Sequence, residues 1–169
     1  RGKGNKANDN SIFEIASVTK TFTAYITAKA VLEGKLNLDD DIRKYLDGSF
    51  ENLEIENRPI FIKDILTHTT GIKRERFSNV LSKLFSNDAT LNERKAITRY
   101  KKENFIEDLK KYKLETIPGK EYDYSGFVAP EILAIILEKV YQRPYPKLLE
   151  EFILEKAQMN HTSIRISTD

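Results

Sequence analysis

Apolar residues recur at helical spacing through the stretch from 13 to 34, which reads FEIASVTKTFTAYITAKAVLEG. Between Phe13 and Leu32 the only charged residues are Glu14, Lys20 and Lys29. The pattern predicts a helix that is buried on most of its circumference. Lys20 falls in the first turn of this helix, where burying a bare ammonium is costly unless partners replace its lost hydration.

Similar spacing further along the chain predicts six to eight helices in all, with little strand. Thr90 with Glu93 matches a capping box, and Asn104 with Glu107 resembles one, so we expect a helix to begin at each place. Isoleucines alternate with polar residues over 162–167, which predicts the beginning of a strand.

Composition limits the chemistry that the chain can perform. A chain of 169 residues with 40% hydrophobic content fits one domain, 1–169, with a sizeable core. The net charge of +2 is small and basic residues are not interleaved with stacking aromatics, so nucleic-acid binding is disfavoured. There is no cysteine, and the two histidines are isolated, so we expect neither a metal site nor a cofactor. The groups left to perform chemistry are hydroxyls, amines and carboxylates.

The chain offers no signal for membrane insertion. No apolar stretch reaches the roughly 20 residues that a bilayer-spanning helix needs, so we expect no transmembrane segment. The first ten residues are polar and do not resemble a signal peptide. We therefore interpret residues 1–12 as a flexible start of the domain.

Ser17 lies three residues before Lys20, so a helix places both side chains on one face about one turn apart. A serine beside a desolvated amine is the Ser-Lys form of nucleophilic catalysis, and backbone N–H groups at a helix start can stabilise an oxyanion. The alternative is that Ser17 only caps the helix and Lys20 extends to solvent. His68 could act as a general base, although a histidine in an apolar turn is more often a hydrogen-bonded structural residue.

Three segments in this order carry a family pattern: 13–46, which begins FEIASVTK; 62–72, IKDILTHTTGI; and 118–126, PGKEYDYSG. Together they resemble the serine β-lactamase and penicillin-binding protein superfamily, nearest to its branch of class C β-lactamases, DD-peptidases and esterases. The resemblance implies that Ser17 is acylated by a β-lactam, a D-alanyl peptide or a small ester. By the same match Lys20 assists Ser17, Tyr124 supplies a partner hydroxyl, and Ser125 binds substrate.

The resemblance also implies the fold and the location of the protein. We expect a mainly α chain, the helical part of the β-lactamase/transpeptidase-like α/β fold with most of its antiparallel sheet missing. The domain would then be truncated at both ends, with 73–116 as a variable helical insert beside the substrate cleft. Mature members of the family work outside the cytoplasmic membrane, so an extracytoplasmic location is expected.

Several family landmarks are altered. Gly126 stands where the family's Tyr-x-Asn motif has its asparagine, and residues 156–158 read Lys-Ala-Gln instead of Pro-Leu-Gly. No Lys- or His-x-Gly triplet of the family's sheet strand follows. A second hypothesis is therefore a catalytically impaired binding or structural module of the same fold. In either case, helix faces that normally cover the sheet would be exposed, and a complementing segment or self-association would cover them.

Overall fold

The computed structural model describes residues 6–9, 11–84 and 86–164. Over these residues the protein is mainly helical, which confirms the expected fold class, and its sheet is a single antiparallel pair of strands. In chain order the α-helices are α1 (Thr19–Leu32), α2 (Ile62–Leu66), α3 (Arg74–Phe77), α4 (Leu91–Arg99), α5 (Lys102–Lys111), α6 (Val128–Tyr141) and α7 (Tyr145–Leu149). The strands are β1 (Glu54–Ile55) and β2 (Arg58–Pro59), with Ile55 opposite Arg58.

Short helical turns complete the architecture. The 3-10 turns are Ala16–Val18, Ile42–Tyr45, Glu51–Leu53 and Leu81–Lys83, and a π-helical turn, Glu150–Leu154, continues α7. None of the helices within the described ranges is long and apolar enough to cross a membrane.

The core forms where α6 packs against α1, α2 and α7. Its largest fully buried side chains are Ile26, Ile42, Leu53, Ile60, Ile62, Ile65, Ile72, Leu109, Ile132, Ile136, Leu137 and Leu148. The α1 face that meets this core also carries buried threonines, and Thr23 Oγ1 lies 2.7 Å from the Tyr145 hydroxyl on α7. This bond and the apolar contacts fix α1, and with it the turn that precedes it.

The predicted burial of the first helix is wrong on one side. The face of α1 that points away from α6 and α7 is exposed, and Tyr25 and Leu32 keep 53% and 89% of their surface accessible. Ala24 and Ala28 lie on the same exposed face. The spacing gave a wrong prediction because α1 carries apolar side chains on all its faces, while the other described residues pack against one of these faces only.

Of the two predicted helix caps, one is confirmed and one is wrong, and the predicted strand near residue 164 does not form within the described residues. Thr90 caps α4 as predicted, because its hydroxyl accepts from the Glu93 N–H and Glu93 accepts from the Thr90 N–H. The prediction for Asn104 is wrong: α5 begins at Lys102, and Asn104 Oδ1 instead accepts from the Lys101 N–H at 3.0 Å. Residues 162–164 form no strand, and 165–167 lie outside the described residues.

Candidate active site

Ser17, Lys20 and Tyr124 lie together and form what we call the serine site. Ser17 Oγ is 2.7 Å from the Tyr124 hydroxyl, and Lys20 Nζ donates to Ser17 Oγ at 3.2 Å. Lys20 Nζ also lies 5.0 Å from the centre of the Tyr124 ring. A hydroxyl thus contacts both an amine and a phenol, two groups that can carry a proton.

Local structure places Ser17 at the exposed start of α1. It lies in the 3-10 turn before that helix, and Ala16 immediately before it has a left-handed φ of 45°. Such a conformation costs a residue with a side chain on the order of 1 kcal/mol or more, and such strain often accompanies functional sites. The 14 residues of α1 direct the positive end of their dipole toward this turn, which favours negative charge there.

Tyr124 reaches Ser17 because the segment before α6 is bound to the segment after α2. The Asp123 N–H donates to the His68 carbonyl at 2.8 Å, and the Gly119 N–H donates to the Thr69 carbonyl at 2.7 Å. The two segments also approach closely at Gly71, where an added Cβ would lie 2.5 Å from the carbonyl oxygen of Thr116. Backbone contacts therefore set the position of Tyr124 against the start of α1.

The Lys20 ammonium governs the electrostatics of the serine site. Its contact with the Tyr124 hydroxyl, followed by the hydrogen bond from Ser17, lowers the pKa of Tyr124 below the ordinary value for a phenol. A positive charge beside a phenol favours the phenolate, so a larger fraction of Tyr124 is in the form that can accept a proton than in a solvated tyrosine. Since 38% of its surface is exposed, a substrate could approach it.

His68 packs beside Tyr124 instead of forming the hydrogen bonds expected of a structural histidine. Its ring centre is 4.8 Å from that of Tyr124 and 6.0 Å from that of Tyr122. Its Nδ1 is buried and has no hydrogen-bond partner among the described residues. Burial, with a smaller contribution from the Lys20 charge, lowers the pKa of His68, so the ring is held in its neutral form near pH 7.

The two residues after Tyr124 differ in their relation to the site. Ser125 is completely buried, and its Oγ has no hydrogen-bond partner among the residues that the structure describes. Its assignment to substrate binding stays a prediction, and it would require this hydroxyl to become accessible. Gly126 has a left-handed φ of 62°, and a Cβ added to it would lie 2.7 Å from Cδ of Arg74. The Arg74 side chain therefore lies against the face of Gly126.

The described residues contain no group of three or more His, Cys, Asp or Glu side chains that could hold a metal ion. Sequence reasoning singled out His68 but missed Ala16 and Arg74 as residues that shape the site. For Ala16 no sequence signal exists, because alanine has no preference for a left-handed backbone. For Arg74 the signal was Gly126, whose missing side chain leaves space that a neighbour can fill.

Comparison with known proteins identifies the fold as that of serine hydrolases. A sequence profile described as Beta-lactamase matches residues 1–168, and the chain belongs to the β-lactamase family. Protein flp of Staphylococcus aureus (strain N315) is 32% identical over 164 residues, which cover 95% of this chain. The crystal structure of β-lactamase/D-alanine carboxypeptidase from Yersinia pestis, complexed with citrate, superposes with a TM-score of 0.75 at 26% identity over 91% of this chain. The penicillin-binding protein homologue from Pyrococcus abyssi superposes with a TM-score of 0.62 at 28% identity over 88%.

The chain spans less than half the length of these relatives. It covers 29% of protein flp, 41% of the Yersinia pestis chain and 32% of the Pyrococcus abyssi chain. The likeness therefore concerns only a part of each of these longer chains.

Proposed function

We propose that this chain carries the nucleophile of an acyl-transferring serine hydrolase. The observation that supports this most is the position of Ser17 Oγ, 2.7 Å from the Tyr124 hydroxyl and 3.2 Å from Lys20 Nζ. The substrate would be a β-lactam, a D-alanyl peptide or a small ester. A peptide substrate accords with the D-alanine carboxypeptidase named among the similar structures.

In this mechanism Ser17 Oγ attacks the carbonyl carbon of the substrate and loses its proton to Tyr124 or Lys20. The new O–C bond converts the carbonyl to an oxyanion, which the backbone N–H groups and dipole at the start of α1 would stabilise. Collapse of the oxyanion breaks the bond to the leaving group, which takes the proton back from the same pair. Water then attacks the acyl-enzyme and gives one proton to the same pair. The bond from the acyl carbon to Ser17 Oγ breaks, the pair returns the proton to Ser17 Oγ, and the acid is released.

The lowered pKa of Tyr124 suits the first step, because more of the residue is then present as the phenolate, the form that can accept the serine proton. The neutral His68 ring contributes to the same step by not adding a second positive charge beside Lys20. Both effects leave Lys20 as the dominant charge of the serine site.

A second candidate is a binding or structural module that keeps the fold without turnover. The observation that favours it is Gly126, which brings no side chain to the position where the family's motif has an amide. The two candidates differ in one respect: only the hydrolase forms a covalent bond to Ser17.

Labelling with a fluorescent penicillin and with a fluorophosphonate tests the hydrolase directly. The protein would be produced in the longest form that its gene encodes, as the parent, as Ser17→Ala and as Ser49→Ala, an exposed serine outside the site. We expect the parent and Ser49→Ala to be labelled and Ser17→Ala to remain unlabelled, with all three showing the same circular dichroism. A folded parent that takes up neither probe contradicts the hydrolase and leaves the binding module.

We further propose that the exposed face of α1 is covered, in the working protein, by a sheet segment of the kind that the family fold places against its helices. The face carries Tyr25 and Leu32 at 53% and 89% exposure, and the longer relatives have ample further chain. An extracytoplasmic location is proposed on the same family grounds.

Sedimentation of the chain 1–169 alone tests whether the exposed face of α1 needs to be covered. We expect the chain to self-associate, and Leu32→Lys to weaken that association. A monomer with no tendency to associate contradicts the proposal.

A further inference from the structure

The serine site has a second positive group at its edge, on α3. Arg74 is the first residue of this helix, and its Cδ lies where it would meet a side chain at position 126. The Arg74 guanidinium also contributes to the lowered pKa of Tyr124, after the larger effects of Lys20 and Ser17. Its charge therefore acts on the phenol that contacts Ser17.

The approach of Arg74 depends on the absence of a side chain at position 126. A Cβ built on Gly126 would lie 2.7 Å from Cδ, 3.5 Å from Cγ and 3.7 Å from Nη1 of Arg74. Carbon atoms do not approach to 2.7 Å without repulsion, so any larger residue would displace the arginine from this place. Gly126 and Arg74 are thus a sterically matched pair.

The Arg74 guanidinium is partly exposed, with 35% of its side chain accessible, and it is held by Glu75, which accepts from Nε at 3.1 Å and from Nη2 at 2.7 Å. Glu75 thus holds the guanidinium through Nε and Nη2, while Nη1 lies 3.7 Å from the place of a Cβ on Gly126. Arginine binds carboxylates through such a fork better than lysine does, because several N–H groups point in fixed directions.

We propose that Arg74 is a specificity-determining residue that recognises an anionic group, a carboxylate, on the acyl donor attacked by Ser17. The proposal rests on the proposed function for its setting, since it names the kind of substrate that the serine site prefers. It assigns Gly126 a purpose as well: the glycine leaves the space from which the guanidinium reaches the substrate beside Tyr124.

A pair of matched esters measures this preference. The 4-nitrophenyl ester of succinic acid carries a carboxylate where the 4-nitrophenyl ester of butyric acid carries a methyl group, and both release 4-nitrophenolate when Ser17 is acylated. We expect the parent to be acylated faster by the succinyl ester. In Arg74→Gln the ratio of the two rates should fall about tenfold, the low end for a hydrogen bond between charged groups, because the guanidinium is partly exposed. Arg74→Lys should keep part of the preference.

Arg76 supplies the control for general loss of charge. It lies two residues further along α3, is 65% exposed and pairs with Glu115, so Arg76→Gln removes the same charge from the same helix away from Gly126. We expect its ratio to stay within about twofold of the parent, as for a screened surface charge. Equal falls in both variants, or an unchanged ratio in Arg74→Gln, overturn the proposal even if the parent is acylated.

Binding of succinate to Ser17→Ala separates this proposal from the proposed function, because it requires no acylation. Chemical-shift titration should show succinate perturbing the Tyr124 ring in Ser17→Ala but not in Ser17→Ala combined with Arg74→Gln. If the parent is never acylated but this Arg74-dependent binding occurs, the hydrolase is wrong and the anion site stands. If succinate binds equally with and without Arg74, the anion site is wrong.

Discussion

Replacing Lys20 by arginine separates a proton acceptor from a mere positive charge. Lys20 Nζ lies 3.2 Å from Ser17 Oγ and 5.0 Å from the Tyr124 ring centre, so an arginine at this place can keep a cation near both groups. Guanidinium does not give up its proton in the range where enzymes work, whereas an amine can. The substitution therefore keeps the electrostatic field and removes one path for the serine proton.

We expect Lys20→Arg to fold and to be acylated at least about a hundredfold more slowly, which is the low end of what general acid–base catalysis contributes. In free energy this is about 2.7 kcal/mol added to the barrier, since each tenfold change in rate corresponds to about 1.36 kcal/mol. The exposed position of Ser17 and the partial exposure of Lys20 leave room for the larger side chain without disturbing the core. Stopped-flow labelling with a fluorescent penicillin measures the rate.

Lys29→Arg on the same helix is the matched control. Lys29 pairs with Glu33 at the other end of α1, away from the serine site, and its replacement should leave the acylation rate unchanged. If Lys20→Arg is labelled as fast as the parent, Lys20 acts only as a charge and the proton path through its amine is wrong.

Three further results are expected. In an NMR titration of ring-labelled tyrosines, Tyr124 should ionise below the ordinary range for a phenol, and Lys20→Met should raise its pKa by removing the ammonium that lowers it. The folded-state pKa of His68 lies below its ordinary value of 6.5, so the unfolded state binds that proton more readily. The free energy of unfolding should therefore decrease as the pH falls from 6.5 through the folded-state value. His68→Asn should reduce this decrease, as measured by urea titrations at several pH values. Gly71→Ala should destabilise the fold by more than about 1 kcal/mol and slow acylation, because φ is 75° and the new Cβ would lie 2.5 Å from a carbonyl oxygen. Gly34→Ala is the control for Gly71→Ala: with φ 68° and nothing within 4 Å of the new Cβ, it should reduce stability without affecting acylation of the folded protein.

The sequence predicts the parts of the fold that local interactions decide. The capping box at Thr90 and Glu93 works because both bonds close within one turn. Asn104 failed as a cap because the same residue types also satisfy the third position of a helix that begins earlier, as α5 does. The burial of α1 failed for a different reason, since periodicity reports how apolar a face is and not whether a neighbour covers it.

The serine site likewise has a local contact that the sequence predicts and a long-range contact that it does not. The approach of Lys20 to Ser17 follows from a spacing of three residues, and a helical turn brings any such pair together. Tyr124 lies 107 residues from Ser17 in the sequence, so neither spacing nor propensity predicts their contact. Only the family resemblance indicated it. What places it is the pair of backbone bonds from Gly119 and Asp123 to the turn after α2, together with the close approach at Gly71. The turn after α2 therefore helps to set the position of the Tyr124 hydroxyl relative to Ser17. Substitutions in this turn should change the chemistry of Ser17 by moving Tyr124.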